Sequence, residues 1–305
     1  MKKQVRKVSL RKVFWITLGS MLFLFFVLPI IISLFNGLQF GNVALISIEG
    51  VIAGNQGSYW GQEVVSSKEI VGFLKEAEEN TMIKAVVLEI NSPGGSAVAS
   101  DEIASQIKRM KKPVVAVIRE VGASGGYWVA SAADYVIANR MSITGSIGVL
   151  SSYLEFSGLM EHYGVSYERL VAGEYKDMGT PFRKLTEEER NILQKKINKI
   201  HEFFIEEIAR NRNLSGEKVK KLATGEFFLG SEALGLGLVD ELGNKERAEA
   251  YLKERLGLKE IDYMQYEIKK SFWEELLGVF NNYFFKIGEG IGSVLVSQGN
   301  KAIWV

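Results

Sequence analysis

The stretch Lys84-Ala85-Val86-Val87-Leu88-Glu89-Ile90 runs directly into Asn91-Ser92-Pro93-Gly94-Gly95-Ser96. A short, nearly continuous apolar run suits a strand buried on both faces, and the proline and glycines that follow stop it. Working outward, similar runs recur at Val43 to Ile48, Val114 to Ile118, Tyr135 to Ala138 and Tyr167 to Val171. Between them, Ser67 to Glu78, Ala99 to Met110 and Gly125 to Ala133 space their apolar residues by three and four, as amphipathic helices do. Strands alternating with such helices predict an α/β fold with parallel strands.

A longer helix opens at Thr186-Glu187-Glu188-Glu189 and runs to about Asn211, with capping-box spacing from Thr186 to Glu189 and acids at the positive end of the dipole. Shorter helices are expected at Ser215 to Ala223, Glu232 to Gly237 and Asn244 to Leu256. Residues 43–260 therefore read as one catalytic α/β unit, and 261–305 as a C-terminal amphipathic helix and tail. In that tail, the stripe from Phe272 to Ile287 needs burial, in a core or subunit contact before a membrane surface.

The N-terminus has a different character. The chain of 305 residues carries a net charge of +1, yet Lys2, Lys3, Arg6, Lys7, Arg11 and Lys12 precede any acid, so the rest is net acidic and unsuited to nucleic acid. Val13 to Phe35 follows without an ionisable side chain, about the length a helix needs to cross a bilayer. We read 1–12 as a cytoplasmic basic segment and 13–35 as a transmembrane anchor, since the run is longer than the apolar core of a cleaved signal and lacks its small-residue cleavage site. The catalytic unit is then expected on the extracytoplasmic side of the cell membrane.

With no cysteine there is no thiol nucleophile, disulfide or thiolate metal site, and only His162 and His201 could serve as imidazole bases. Nothing calls for a metal or a cofactor. The loop from Asn91 to Ser96, at the carboxyl end of a strand, could offer backbone N–H groups to an oxyanion or a phosphate, or could be an ordinary Pro-Gly turn. Gly122-Ala123-Ser124-Gly125-Gly126 places a serine at the mouth of a helix, where it could be a nucleophile or merely an N-cap. Both histidines read as surface or structural residues. Lysine is the remaining base, provided burial disfavours its ammonium form, and Lys176 in the glycine-bounded loop Gly173 to Gly179 is one candidate among many.

Four blocks appear in one register: Asn91 to Gly95, Ala123 to Asp134, Thr144 to Val149, and Tyr175 to Arg183. In order and spacing they closely resemble bacterial signal peptide peptidase A. The resemblance implies a Clp protease/crotonase-like fold of ββα turns stacked in a superhelix, and a serine endopeptidase with a Ser/Lys dyad. On this sequence it makes Ser124 the nucleophile, Lys176 the general base, the N–H groups of Gly95 and Gly125 the oxyanion hole, and Ser146 the residue that orients the lysine. It further implies a homo-oligomeric ring, with serine and lysine able to come from adjacent subunits, and signal-peptide remnants and other unfolded hydrophobic peptides as substrates. Trp128 stands where many relatives have tyrosine, and no histidine lies near Val149, where Clp-type proteases carry their base. The alternatives are a membrane serine protease of the stomatin-cleaving type and a crotonase-type acyl-CoA enzyme.

Overall fold

A computed structural model of the chain describes residues 10–23, 41–55, 58–59 and 62–267. In chain order its elements are α1 (Leu10–Leu22), β1 (Val43–Ala53), β2 (Ser58–Tyr59), β3 (Gln62–Ser66), α2 (Ser67–Glu79), β4 (Ala85–Gly95), α3 (Ala97–Ile107) and β5 (Val114–Ala123). There follow α4 (Gly125–Ser131), β6 (Tyr135–Ala138), β7 (Ile143–Gly145), α5 (Ser157–His162), α6 (Glu187–Asn211), α7 (Gly216–Leu222) and β8 (Phe227–Leu229). The last are α8 (Gly230–Leu236), β9 (Glu241–Leu242), α9 (Lys245–Leu256) and β10 (Tyr263–Tyr266). The strands form one sheet in the order β2-β3-β1-β4-β5-β6-β9, with β10 on β1, β7 on β5 and β8 on β7. Only β2 with β3 and β7 with β8 pair antiparallel among the described strands. The fold is thus α/β with a mainly parallel sheet. β10 takes in the first residues of the expected tail, and the stripe from Phe272 to Ile287 lies outside the described residues.

The apolar runs are continuous because both faces of the sheet are covered. Alternate residues of a strand point to opposite faces, so Ile46, Leu88 and Ile118 join a core completed by the helices, while Leu45, Val87 and Val117 join a second core with Ala248 and Leu252 of α9. Burying each large aliphatic side chain contributes about 1.5–3 kcal/mol. Past that core the strands bend. The β1–β4 register shifts between Glu49 and Val51, and the β4–β5 register between Ile90 and Ser92. β5 pairs with β6 through Val115–Ile118 and with β7 through Val121–Ala123. These irregularities carry Gly95, Ala123 and Gly145 to the carboxyl ends of adjoining strands, where α/β proteins place their ligand sites.

The expected strand at Tyr167 to Val171 is not formed: these residues are irregular and Leu170 is 98% exposed. Strand-forming side chains need a partner edge, and this segment pairs with none among the described strands. The long helix α6 begins as expected, with Thr186 and Glu189 in a reciprocal capping box. It docks through Phe204 and Ile208, and Phe204 stacks on Trp128 of α4 with ring centroids 4.7 Å apart. At the N-terminus α1 exposes Phe14, Trp15 and Ile16. No helix among the described residues is long and apolar enough to cross a membrane, and residues 24–35 of the expected span lie outside them.

Candidate active site

Ser124 links β5 to α4 with φ 53° and ψ −122°. A non-glycine residue at positive φ is strained, and such strain collects at functional positions. The sharp turn has a direct consequence for the side chain. An N-cap serine needs an extended backbone to reach the N–H groups of the first turn. Ser96 at the start of α3 has one and accepts from Ala99 N, whereas the Ser124 hydroxyl makes no capping bond. The ordinary role of serine at this place is therefore absent. The half-buried side chain is held by its backbone alone: Ser124 N donates to Gly145 O at 2.8 Å, and Trp128 N to Ser124 O at 2.9 Å.

The glycine loop lies against this turn. Ser92 is fully buried; its hydroxyl donates to Gly50 O at 2.6 Å and accepts from Gly94 N at 3.1 Å. Asn91 Oδ1 accepts from Val121 N at 3.2 Å, tying the loop to β5. Gly94 has φ +101°, and a Cβ there would sit 2.7 Å from Gly125 N and 2.9 Å from Ser124 Cβ. A Cβ on Gly125 would sit 3.3 Å from Gly95 N and collide with Ser100 Oγ. The Gly94-Gly95 loop, Gly125 and the serine are thus packed directly against one another, with Ser100 Oγ beside Gly125. As the first residue of α4, Gly125 belongs to the turn whose N–H groups have no partner within the helix.

Gly125→Ala tests this arrangement. Overpacking at a buried position costs about 1–3 kcal/mol; if the Gly95 and Gly125 N–H groups serve as oxyanion donors, the intruding methyl should also lower kcat about 100-fold or more. Steady-state kinetics with a parallel thermal melt separates the two effects. Near-wild-type kcat would show that these two N–H groups are not oxyanion donors.

Ser146 follows β7 with φ 49°. Its N donates to Glu226 O at 2.9 Å and its hydroxyl to Gly225 O at 3.2 Å. Because Ala123 pairs with Gly145, Ser146 and Ser124 leave adjoining strands side by side. The structure brings Gly95, Ser124, Gly125 and Ser146 together in this way. It does not bring Lys176 to them: that side chain is exposed, and its amine has no hydrogen-bond partner among the described residues. Neither histidine bonds Ser124. His162 is exposed at the end of α5, and His201 Nε2 lies 3.3 Å from Ile147 O.

The loop around Lys176 is held by charge rather than by a core. Asp177 accepts from Arg169 Nε at 2.7 Å and from Arg183 Nη2 at 2.9 Å. Arg183 also donates from Nη1 to Glu189 Oε2 at 2.8 Å, and Tyr175 donates to Glu188 at 2.6 Å. Hydrogen bonds from Arg169 and Arg183 hold the Asp177 carboxyl below its ordinary range. Arg183, followed by the Thr186 backbone N–H, holds Glu189 down to about 2 from an ordinary 4.5. The carboxylates missed by the sequence reading are these two: Glu189 was read as half of a capping box and as an acid at the positive end of the dipole, and no local spacing signals that it also pairs with Arg183.

A pH dependence follows. A carboxyl whose value is depressed on folding contributes stability above its unfolded value and loses it as pH falls toward the folded one. The loop from residue 169 to 186 is accordingly expected to loosen between about pH 4.5 and pH 2. Hydrogen exchange corrected for intrinsic rates reads this, and unchanged protection of these amides down to pH 2 would contradict it.

The chain is similar to known peptidases over most of its length. Peptidase family S49 matches residues 106–259, and the Clp protease family matches residues 60–150. A protein of Methanocaldococcus jannaschii, provisionally named a protease, is 35% identical over 267 residues, covering 87% of this chain and 85% of that protein. One of Enterococcus faecium, provisionally named signal peptide peptidase SppA, is 34% identical over 77% of this chain and 70% of its own. The chloroplastic serine protease SPPA of Arabidopsis thaliana is 31% identical over 71% of this chain and 33% of its own.

Proposed function

The chain belongs to peptidase family S49 and is a serine protease, and from that premise we propose that Ser124 and Lys176 form its catalytic dyad on the outer face of a membrane. One observation carries the reading: Ser124 sits at φ 53° with an unused hydroxyl, packed against the Gly94-Gly95 loop at the start of α4. In this reaction the Ser124 Oγ–H proton passes to the Lys176 amine as Oγ attacks a peptide carbonyl. The N–H groups of Gly95 and Gly125 stabilise the oxyanion, which needs donors fixed before the charge develops. Lys176 then protonates the leaving amine, and water, deprotonated in turn by Lys176, releases the acyl group from Ser124. Ser146 orients the lysine when it arrives.

Lys176 is exposed in the single chain, and so are Leu150, Leu154 and Leu170 on the same segment. An apolar surface of that kind favours burial against another protein. We assign it to contact with a second copy in a homo-oligomeric ring of the Clp-like type, which would shield Lys176 from water and let one subunit supply the base for another's serine. Residues 1–12 on the cytoplasmic side and a span over 13–35 would tether the ring, with the catalytic unit outside.

A ring with narrow access at the membrane surface favours extended apolar chains, hence signal-peptide remnants and other unfolded hydrophobic peptides. To test this, the full chain in lipid nanodiscs is incubated with a synthetic signal peptide and with a folded globular protein. Cleavage of the peptide with the folded protein left intact is expected. Equal cleavage of both would overturn the substrate assignment.

A further inference from the structure

We propose that Arg183 is a positioning residue for Lys176: its guanidinium joins Asp177, the next residue in the chain, to Glu189 in the first turn of α6. This rests on Lys176 being the base. The loop that carries Lys176 has little packing to define it: Gly173 and Gly179 bound it at φ +97° and +87°, and the residues from Gly173 to Lys176 are exposed. What fixes it is a chain of charges whose far end is buried. The Glu189 side chain is 4% exposed, and its Oε2 also accepts from Thr186 N at 3.0 Å, so this carboxylate is anchored by the helix start itself. Arg183 spans from it to Asp177, with Nη2 2.5 Å from Glu189 Oε1 and Nε 3.1 Å from Asp177 Oδ2.

A planar guanidinium can engage two carboxylates at once in fixed directions, which an ammonium cannot. α6 continues the connection. Fifteen residues after Glu189, Phe204 stacks on Trp128, which stands four residues after Ser124. The lysine loop and the serine turn are therefore both referenced to one rigid helix. The arrangement holds whether base and nucleophile meet within one subunit or between two, because α6 then sets the lysine relative to the body of the subunit that donates it.

The charges facing the loop are Arg169 and Glu174 within it, Asp177, Arg183 from the approach to α6, and Glu188 and Glu189 from its first turn. Loss of Arg183 leaves Asp177 with one guanidinium partner in place of two. Asp177, the neighbour of Lys176, is then held only by Arg169 of its own loop, and the tie to α6 is lost.

The experiment measures kcat and KM of the full chain in detergent across pH 6 to 10, on a quenched apolar peptide, for Arg183→Met, Arg183→Lys, Glu189→Gln and Ser124→Ala. A base displaced by about 1 Å costs on the order of 100-fold in rate. Arg183→Met is expected to lower kcat about 30- to 100-fold, with KM within about 2-fold. Arg183→Lys should recover part of kcat, and Glu189→Gln should lose less than Arg183→Met. Circular dichroism and the oligomer's elution volume report whether each variant is assembled. Wild-type kcat in Arg183→Met would overturn the proposal, as would a loss that only tracks the unassembled fraction. Activity in Ser124→Ala would instead defeat the serine reading, whatever Arg183 does.

Discussion

Ser124→Ala in the full chain is expected to lower kcat/KM for an apolar peptide by about 10³- to 10⁶-fold, the range seen when an acyl-transfer nucleophile is removed. The variant should fold normally, because the hydroxyl makes no capping bond and no hydrogen bond that the backbone needs. The loss should fall on kcat, with binding preserved, since the alanine methyl occupies the space of the serine Cβ. Melting temperature and peptide affinity measured beside kcat check this. Residual activity within about 10-fold of wild type would leave the turn at Ser124 without its assigned purpose.

Lys176→Arg is expected to be almost as damaging, about 10³-fold or more in kcat. Arginine keeps the positive charge and the length but does not give up its proton in proteins. Were Lys176 needed only to attract a developing negative charge, arginine would serve and most activity would survive. Were it needed to take a proton from Ser124, arginine would fail as alanine does. The pair Lys176→Arg and Lys176→Ala therefore separates proton transfer from electrostatic attraction. The exposed position of Lys176 means neither change has a core contact to disturb.

Much of this arrangement was legible before the structure. β1, β4, β5 and β6 could be read because a parallel strand covered on both faces has no polar alternation to hide it. The long helix could be read from Thr186 and Glu189, whose capping spacing is local in sequence. Tyr167 to Val171 was misread because strand propensity describes a side chain's suitability for a sheet and says nothing of whether an edge is available. β7 went unseen because a strand of three residues, Ile143–Gly145, has too little pattern to recognise.

In the site, the serine and the glycine loop could be found as residues at strand ends. Whether Ser124 capped its helix could not, since that depended on a backbone angle set by the turn out of β5. The link from Arg183 to Asp177 and Glu189 joins residues six apart in both directions. That spacing puts the residues on different faces of a helix and about 20 Å apart along a strand, so the only trace in sequence was the unassigned arginine closing the block from Tyr175 to Arg183.

The most direct measurement is mass-spectrometric mapping of a fluorophosphonate probe on the full chain in lipid nanodiscs and on Lys176→Ala. The account predicts a stoichiometric adduct on Ser124 in the native chain and none, at equal exposure time, when the lysine is gone. A catalytically active preparation that carries no adduct at Ser124, or one that labels there equally well without Lys176, would contradict it.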